Sequence, residues 1–195
     1  KTRRGTLTEL TRLGQVYDFD VQVVGPVLVD NQAVSSTRIR QALIENRFQD
    51  ALRLLGHDYA IFGTVERGIG LGMKIGYPTA NVRYNPRKLL PSHGVYTCWA
   101  LIGRERFAGV MFIGRNHFNP VNHISVEANL FDFDRDIYNE EITVFPLHYI
   151  RESRRFDSTK ELAKQIEIDK EQALQLLERE KKHVDDKRAK SSNYC

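Results

Sequence analysis

Val95-Tyr96-Thr97-Cys98-Trp99-Ala100-Leu101-Ile102, then Gly103-Arg104-Glu105-Arg106, then Phe107-Ala108-Gly109-Val110-Met111-Phe112-Ile113 is the stretch on which the fold turns. Two runs rich in β-branched and aromatic residues flank a short glycine-led polar connection, the pattern of an antiparallel hairpin. Similar short runs recur on either side: Tyr59 to Glu66, Thr79 to Arg83, Ser125 to Phe131 and Ile142 to Tyr149. Six strands with no helix between them predict a mainly β fold, an antiparallel sheet closed into a small barrel that leaves no exposed edge. A helix is predicted to follow, with Ser158 and Glu161 as a capping box and Leu162, Ile166, Ala173, Leu174 and Leu177 as its apolar stripe.

The chain before Gly56 has a different texture. Leu7, Leu10, Leu13 and Tyr17 recur at helical spacing, Phe19 to Val24 alternates as a strand would, and Ser35-Ser36-Thr37 opens one helix predicted to run to Leu55 with Gly56 as its stop. This partial α/β segment is a single helix–strand–helix unit, too little for a sheet covered on both faces. The sequence therefore divides into residues 1–56, a barrel domain over 57–180, and a highly charged segment, 181–195, expected to be disordered.

At 195 residues and 41% hydrophobic the chain can bury a core. Its longest apolar stretch, around Val95 to Ile102, is too short to span a bilayer, and a cytoplasmic protein with no membrane partner is expected. Two cysteines, Cys98 and Cys195, make neither a disulfide framework nor a zinc set. The formal charge of +4 is spread through interleaved acidic and basic residues, without the exposed aromatics of a nucleic-acid stacking platform.

Chemistry concentrates in Gly76-Tyr77-Pro78-Thr79-Ala80-Asn81, reached through Arg67, Gly68, Gly70 and Gly72. Glycines let backbone N–H groups approach an anion, and Thr79 and Asn81 offer hard oxygens two residues apart. These features point to a nucleotide phosphate site with a divalent cation, although the same residues also fit a turn that opens a strand. The spacing matches neither the Walker loop nor the dinucleotide fingerprint. In the run Ser125 to Phe131, Glu127 and Asn129 share the face opposite Val126, Ala128 and Leu130; Glu127 reads either as a surface glutamate or as a proton acceptor beside the loop. Ser35-Ser36-Thr37-Arg38-Ile39-Arg40 reads either as a helix cap or as an anion site at a helix N-terminus. Asp132, Asp134 and Asp136 lack the glycine and glutamate of a calcium loop, and the six histidines share no ligand spacing.

Taken in order, Val34-Ser35-Ser36-Thr37-Arg38-Ile39-Arg40, Leu55-Gly56, Gly76 to Asn81, Gly94-Val95-Tyr96, Val126-Glu127 and Asp132 to Tyr138 resemble the bifunctional prokaryotic riboflavin kinase/FMN adenylyltransferase family, or FAD synthetase. Arg151, Phe156, Glu161-Leu162, Gln165-Ile166 and Asp169 extend the match. The resemblance implies a six-stranded Greek-key barrel with a C-terminal helix that transfers the γ-phosphate of ATP to the 5′-hydroxyl of riboflavin, giving FMN and ADP. It implies Glu127 as catalytic base, Thr79 and Asn81 as holders of Mg2+ and ATP phosphates, and a nucleotide site that also includes Gly68, Gly70, Gly72, Lys74, Gly76, Tyr77, Pro78 and Arg151. It assigns Ser35, Ser36, Thr37 and Arg40 to the phosphate grip of the adenylyltransferase module. No His-x-Gly-His string stands upstream of them, so a truncated module unable to make FAD by itself is expected. Three departures stand out. Met73 replaces a usual arginine, for which Lys74 is expected to compensate. Asn116-His117-Phe118-Asn119 alters the flavin-side loop. Asn129 and Asn139 replace a usual histidine and glycine. A flavin- or nucleotide-binding module without turnover is the alternative these departures raise.

Overall fold

The computed structural model describes residues 6–115 and 124–191, so the substitutions at 116–119 lie outside the described residues. The chain forms two compact units, residues 1–35 and residues 36–195.

In the first unit, α1 (Leu7–Tyr17) starts where the Thr6 hydroxyl accepts the Glu9 N–H at 3.3 Å and stops at Asp18, whose φ of 56° is left-handed. A two-residue ribbon follows, β1 (Leu28–Val29) with β2 (Gln32–Ala33), turned by Asp30 and Asn31, both at positive φ. The strand expected over Phe19 to Val24 does not form. A strand needs a neighbour for its ladder bonds, and the described pairing in this unit is taken by β1 and β2. Leu7, Leu10 and Tyr17, expected as the apolar stripe of α1, are exposed in this unit.

The second unit opens with α2 (Ser36–Ile44) and α3 (Phe48–Leu55) where one helix was expected. Asn46 adopts φ 58°, a conformation asparagine tolerates and a continuing helix does not, and this breaks the apolar stripe in two. Gly56, at φ 71°, ends α3 as the sequence predicts. Phe48 of α3 packs edge-on against Tyr59 and Tyr96, with ring centroids 6.5 and 5.4 Å away, and Leu43 O accepts the N–H of Ser92 at 2.9 Å. These contacts tie both helices to the barrel, and the packing divides the chain at residue 35, not at the change of sequence texture near residue 56.

Six strands close the barrel: β3 (Ile61–Glu66), β4 (Ala80–Tyr84), β5 (Gly94–Ile102), β6 (Glu105–Arg115), β7 (Ile124–Leu130) and β8 (Glu141–Arg151). Their order around it is β3-β4-β7-β6-β5-β8, every pair antiparallel. The expected number, location and pairing sense of the strands are all found. Alternation sends Tyr96, Cys98, Ala100, Met111, Ile113, Val126, Ala128 and Val144 inward, where they are buried. Burial pushes the Cys98 thiol pKa up, so it stays an inert protonated core group.

The outer face is covered by α5 (Thr159–Ser191). Val95, Val110, Phe131 and Leu147 of the barrel meet Ala173 and Leu177 of α5 in a second core. The Ser158 hydroxyl caps α5 through the Glu161 N–H at 3.2 Å, while the Glu161 carboxylate takes the N–H of Asp157 rather than that of Ser158. Leu174, expected in the stripe, is exposed. The segment expected to be disordered is helical in its backbone to Ser191, and residues 192–195 lie outside the described residues.

Candidate active site

Between β3 and β4 the chain makes one turn of helix, α4 (Leu71–Lys74), then doubles back so that the Tyr77 N–H reaches Gly72 O at 2.8 Å. This hairpin is compact enough to require glycine at Gly72 and to favour it at Gly68. A Cβ on Gly72 would overlap the Tyr77 carbonyl oxygen and stand 3.2 Å from Thr79 Oγ1; a Cβ on Gly68 would overlap the Asn81 amide. The glycines thus make room for the two polar side chains that the sequence reading singled out, as well as leaving backbone exposed to a ligand.

Asn81 then becomes the cross-strand partner of Glu127, and Ala80 of Ala128. Ala80 and Ala128 point into the core, so Asn81 and Glu127 share the outer face, with Cβ atoms about 5 Å apart as in any directly opposed pair. Ser125, two residues along β7, donates its hydroxyl to Glu127 Oε1 at 2.9 Å. On the other side of Glu127, Asn129 Nδ2 donates to Pro78 O at 2.7 Å and anchors the doubled-back loop to β7.

Two clefts meet at this point. The helix cleft lies between the barrel and α5, with walls from Val95, Phe112, Ile75, Phe156, Leu162 and Ile166 and polar groups from Glu127, Asn129, Arg151 and Asp169. The loop cleft lies between the glycine loop, the Pro78–Asn81 strand opening and residues 133–138. Gly72 and Thr79 line both, so the Thr79 hydroxyl stands at the passage from one cleft to the other.

Two ties hold α5 over the helix cleft. Arg151 donates from Nε and Nη2 to Asp169 at 2.7–3.1 Å, and Gln165 adds a bond to Asp169 Oδ1 at 2.8 Å. The Asp169 side chain is 3% exposed and that of Arg151 20%, so this pair is largely removed from water. Tyr77 donates its hydroxyl to Glu167 at 2.5 Å, and that bond, foremost, raises the phenol pKa.

A family model described as riboflavin kinase matches residues 55–177. The chain belongs to the riboflavin kinase family. Curated relatives include bifunctional riboflavin kinase/FMN adenylyltransferases of Listeria monocytogenes, 34% identical over 88% of this chain and 54% of the relative, and of Escherichia coli K12, 36% identical over 86% and 53%. The chain spans about half the length of the curated relatives it matches. A crystal structure described as a macrolide-efflux protein from Streptococcus pneumoniae is similar at TM-score 0.73 and 36% identity, over 83% of this chain and 53% of that one. Among the described residues no helix is long and apolar enough to cross a membrane.

Within this riboflavin kinase fold, Gly68, Gly70, Gly72, Pro78, Thr79 and Asn81 lie together along the loop cleft, and Glu127 sits beside them in the helix cleft. Tyr77 and Arg151 line the helix cleft instead, the arginine engaged by Asp169. Lys74 and Gly76 are exposed and line neither cleft, whereas Met73 lines the loop cleft. Ser36, Thr37 and Arg40 are exposed in the first turns of α2, and Ser35 is exposed at the end of the first unit. The sequence reading quoted Asp134, Arg135 and Tyr138 in the family match without giving them a role; they form one wall of the loop cleft. The Tyr77–Glu167 bond joins residues 90 apart and had no sequence signal.

Proposed function

We propose that this chain is an ATP-dependent riboflavin kinase, with the nucleotide in the loop cleft and riboflavin in the helix cleft. One observation carries the reading: the Asn81–Glu127 cross-strand pair stands where the two clefts share Gly72 and Thr79. The apolar walls of the helix cleft suit a flavin ring, and the glycine loop suits a polyphosphate.

In this arrangement the terminal ribityl hydroxyl reaches Glu127, whose carboxylate is oriented by Ser125. The hydroxyl oxygen forms its bond to the γ-phosphorus as the bond to the ADP oxygen breaks, and its proton passes to Glu127. Positioning and exclusion of water by α5 supply much of the remaining effect.

The residues also fit a magnesium ion. Thr79 and Asn81 offer neutral hard oxygens, Glu127 places a carboxylate on the neighbouring strand, and Gly68 leaves the Asn81 amide pressed into the cleft, a sparse donor set of the sort Mg2+ completes with water and phosphate oxygens. Thr79 and Asn81 would hold it, and when bound it neutralises charge on the transferring phosphoryl group. Ser35, Ser36, Thr37 and Arg40 line neither cleft and are given no role in this reaction.

The test is incubation with riboflavin, ATP and Mg2+, with FMN and ADP followed by chromatography. Equal amounts of FMN and ADP are expected. Tight binding of both substrates without FMN would contradict the reading and favour a binding module, to which Met73 in the loop cleft lends the one specific support.

A further inference from the structure

Arg135 is the one basic side chain lining the loop cleft among the described residues. Its guanidinium is held from two directions. Nη1 donates to Glu105 Oε2 at 2.7 Å, and Cζ stands 5.2 Å from the Phe107 ring centroid and 5.1 Å from that of Phe133, rings that pack edge to face on each other at 4.9 Å. Among the described residues Nε and Nη2 have no partner, and the side chain remains 47% exposed. A planar group flanked by aromatic rings, pinned at one corner and about half exposed offers a stacking surface.

The register locates this surface relative to the chemistry. Glu127 pairs with Phe112 on β6, and Glu105, which holds Arg135, lies seven residues further along the same strand. Seven residues of strand amount to roughly 24 Å, shortened by the reach of the Glu105 and Arg135 side chains. The γ-phosphate belongs beside Glu127 and Thr79, so a group this far down the barrel meets the opposite end of a nucleotide.

Resting on the kinase reading above, we propose that Arg135 is a nucleotide-positioning residue whose guanidinium plane stacks on the nucleobase. The contact depends on the flat face and not on the charge. A stacked base is lost at a cost of about 1–3 kcal/mol on truncation, equivalent to a weakening of about five- to 150-fold.

The test is direct titration of the protein with ATP, ADP, AMP and inorganic tripolyphosphate, without turnover. Arg135→Ala is expected to weaken the three nucleotides by the same factor, about tenfold or more, and to leave tripolyphosphate unchanged. Arg135→Lys, which keeps the charge and discards the plane, is expected to behave like Arg135→Ala. Riboflavin affinity, read from flavin fluorescence, should stay within twofold in both variants, as a folded control. Equal weakening of tripolyphosphate, full affinity in Arg135→Lys, or wild-type nucleotide affinity in Arg135→Ala would each overturn the inference and leave the kinase reading standing. Failure of the wild-type protein to bind any nucleotide would sink both.

Discussion

Asn81 and Glu127 face each other across the β4–β7 ladder, one beside the glycine loop and the other beside the cleft under α5. Register allows no slippage here, because a one-residue shift of either strand would turn its outward side chain into a core now filled by Ala80 and Ala128. The backbone ladder itself therefore sets the spacing between the proposed base and the proposed phosphate-holding pair.

Gly72→Ala tests the compactness of the loop. The new methyl would collide with the Tyr77 carbonyl and crowd Thr79 Oγ1, so the turn must open. ATP affinity is expected to fall at least tenfold in a nucleotide titration, whereas Gly25→Ala, whose methyl meets nothing within 4 Å, should leave it unchanged.

The Arg151–Asp169 pair is predicted to be costly to break from one side only. Asp169→Ala leaves a largely buried guanidinium without its anion and is expected to lower unfolding free energy by about 3–5 kcal/mol in denaturant titration. The double variant Arg151→Met with Asp169→Leu should recover most of that loss, since apolar packing replaces both desolvated charges.

Alkaline pH should weaken the barrel through Tyr96. Burial pushes its phenol up to about 12 from an ordinary value of 10.0. The folded state thus keeps a proton that the unfolded state releases, so stability is unaffected below pH 10 and declines as pH rises from 10 to 12, by about 2–3 kcal/mol in all. Tyr59 and Tyr84 are raised by burial in the same sense, so Tyr96→Phe is expected to reduce the decline without abolishing it. Thermal melts between pH 9 and pH 12 measure both.

The Tyr77–Glu167 bond is expected to serve riboflavin more than ATP, since it fastens the loop to the helix that covers the proposed flavin cleft. Tyr77→Phe should raise the KM for riboflavin several-fold with kcat within twofold. Steady-state kinetics with each substrate varied in turn separates the two.

The barrel was legible because its strands alternate cleanly and each is bounded by turn residues, so period alone places Val126 inside and Glu127 outside. The same rule misread Phe19 to Val24, where alternation exists but, among the described residues, no neighbouring strand takes the ladder bonds. It also missed the break at Asn46, because the apolar spacing carries straight through a residue whose left-handed φ ends the helix. Within the site, the sequence brought out Thr79, Asn81 and Glu127, which the fold gathers at one place, but the reason for Gly68 and Gly72 was not legible: a side chain there would meet atoms five to thirteen residues away in the chain. Arg151 illustrates the remaining limit. The family resemblance placed it in the nucleotide site, and its partner, Asp169, lies on a helix that only the tertiary packing brings beside it.

The measurement closest to the central claim is FMN formation by Glu127→Gln, taken together with its ATP dissociation constant. The amide keeps the size of the side chain and removes the proton acceptor, so kcat should fall by about 10²–10⁴ while ATP binding stays within a few-fold. A Glu127→Gln protein that makes FMN at the wild-type rate would contradict the account.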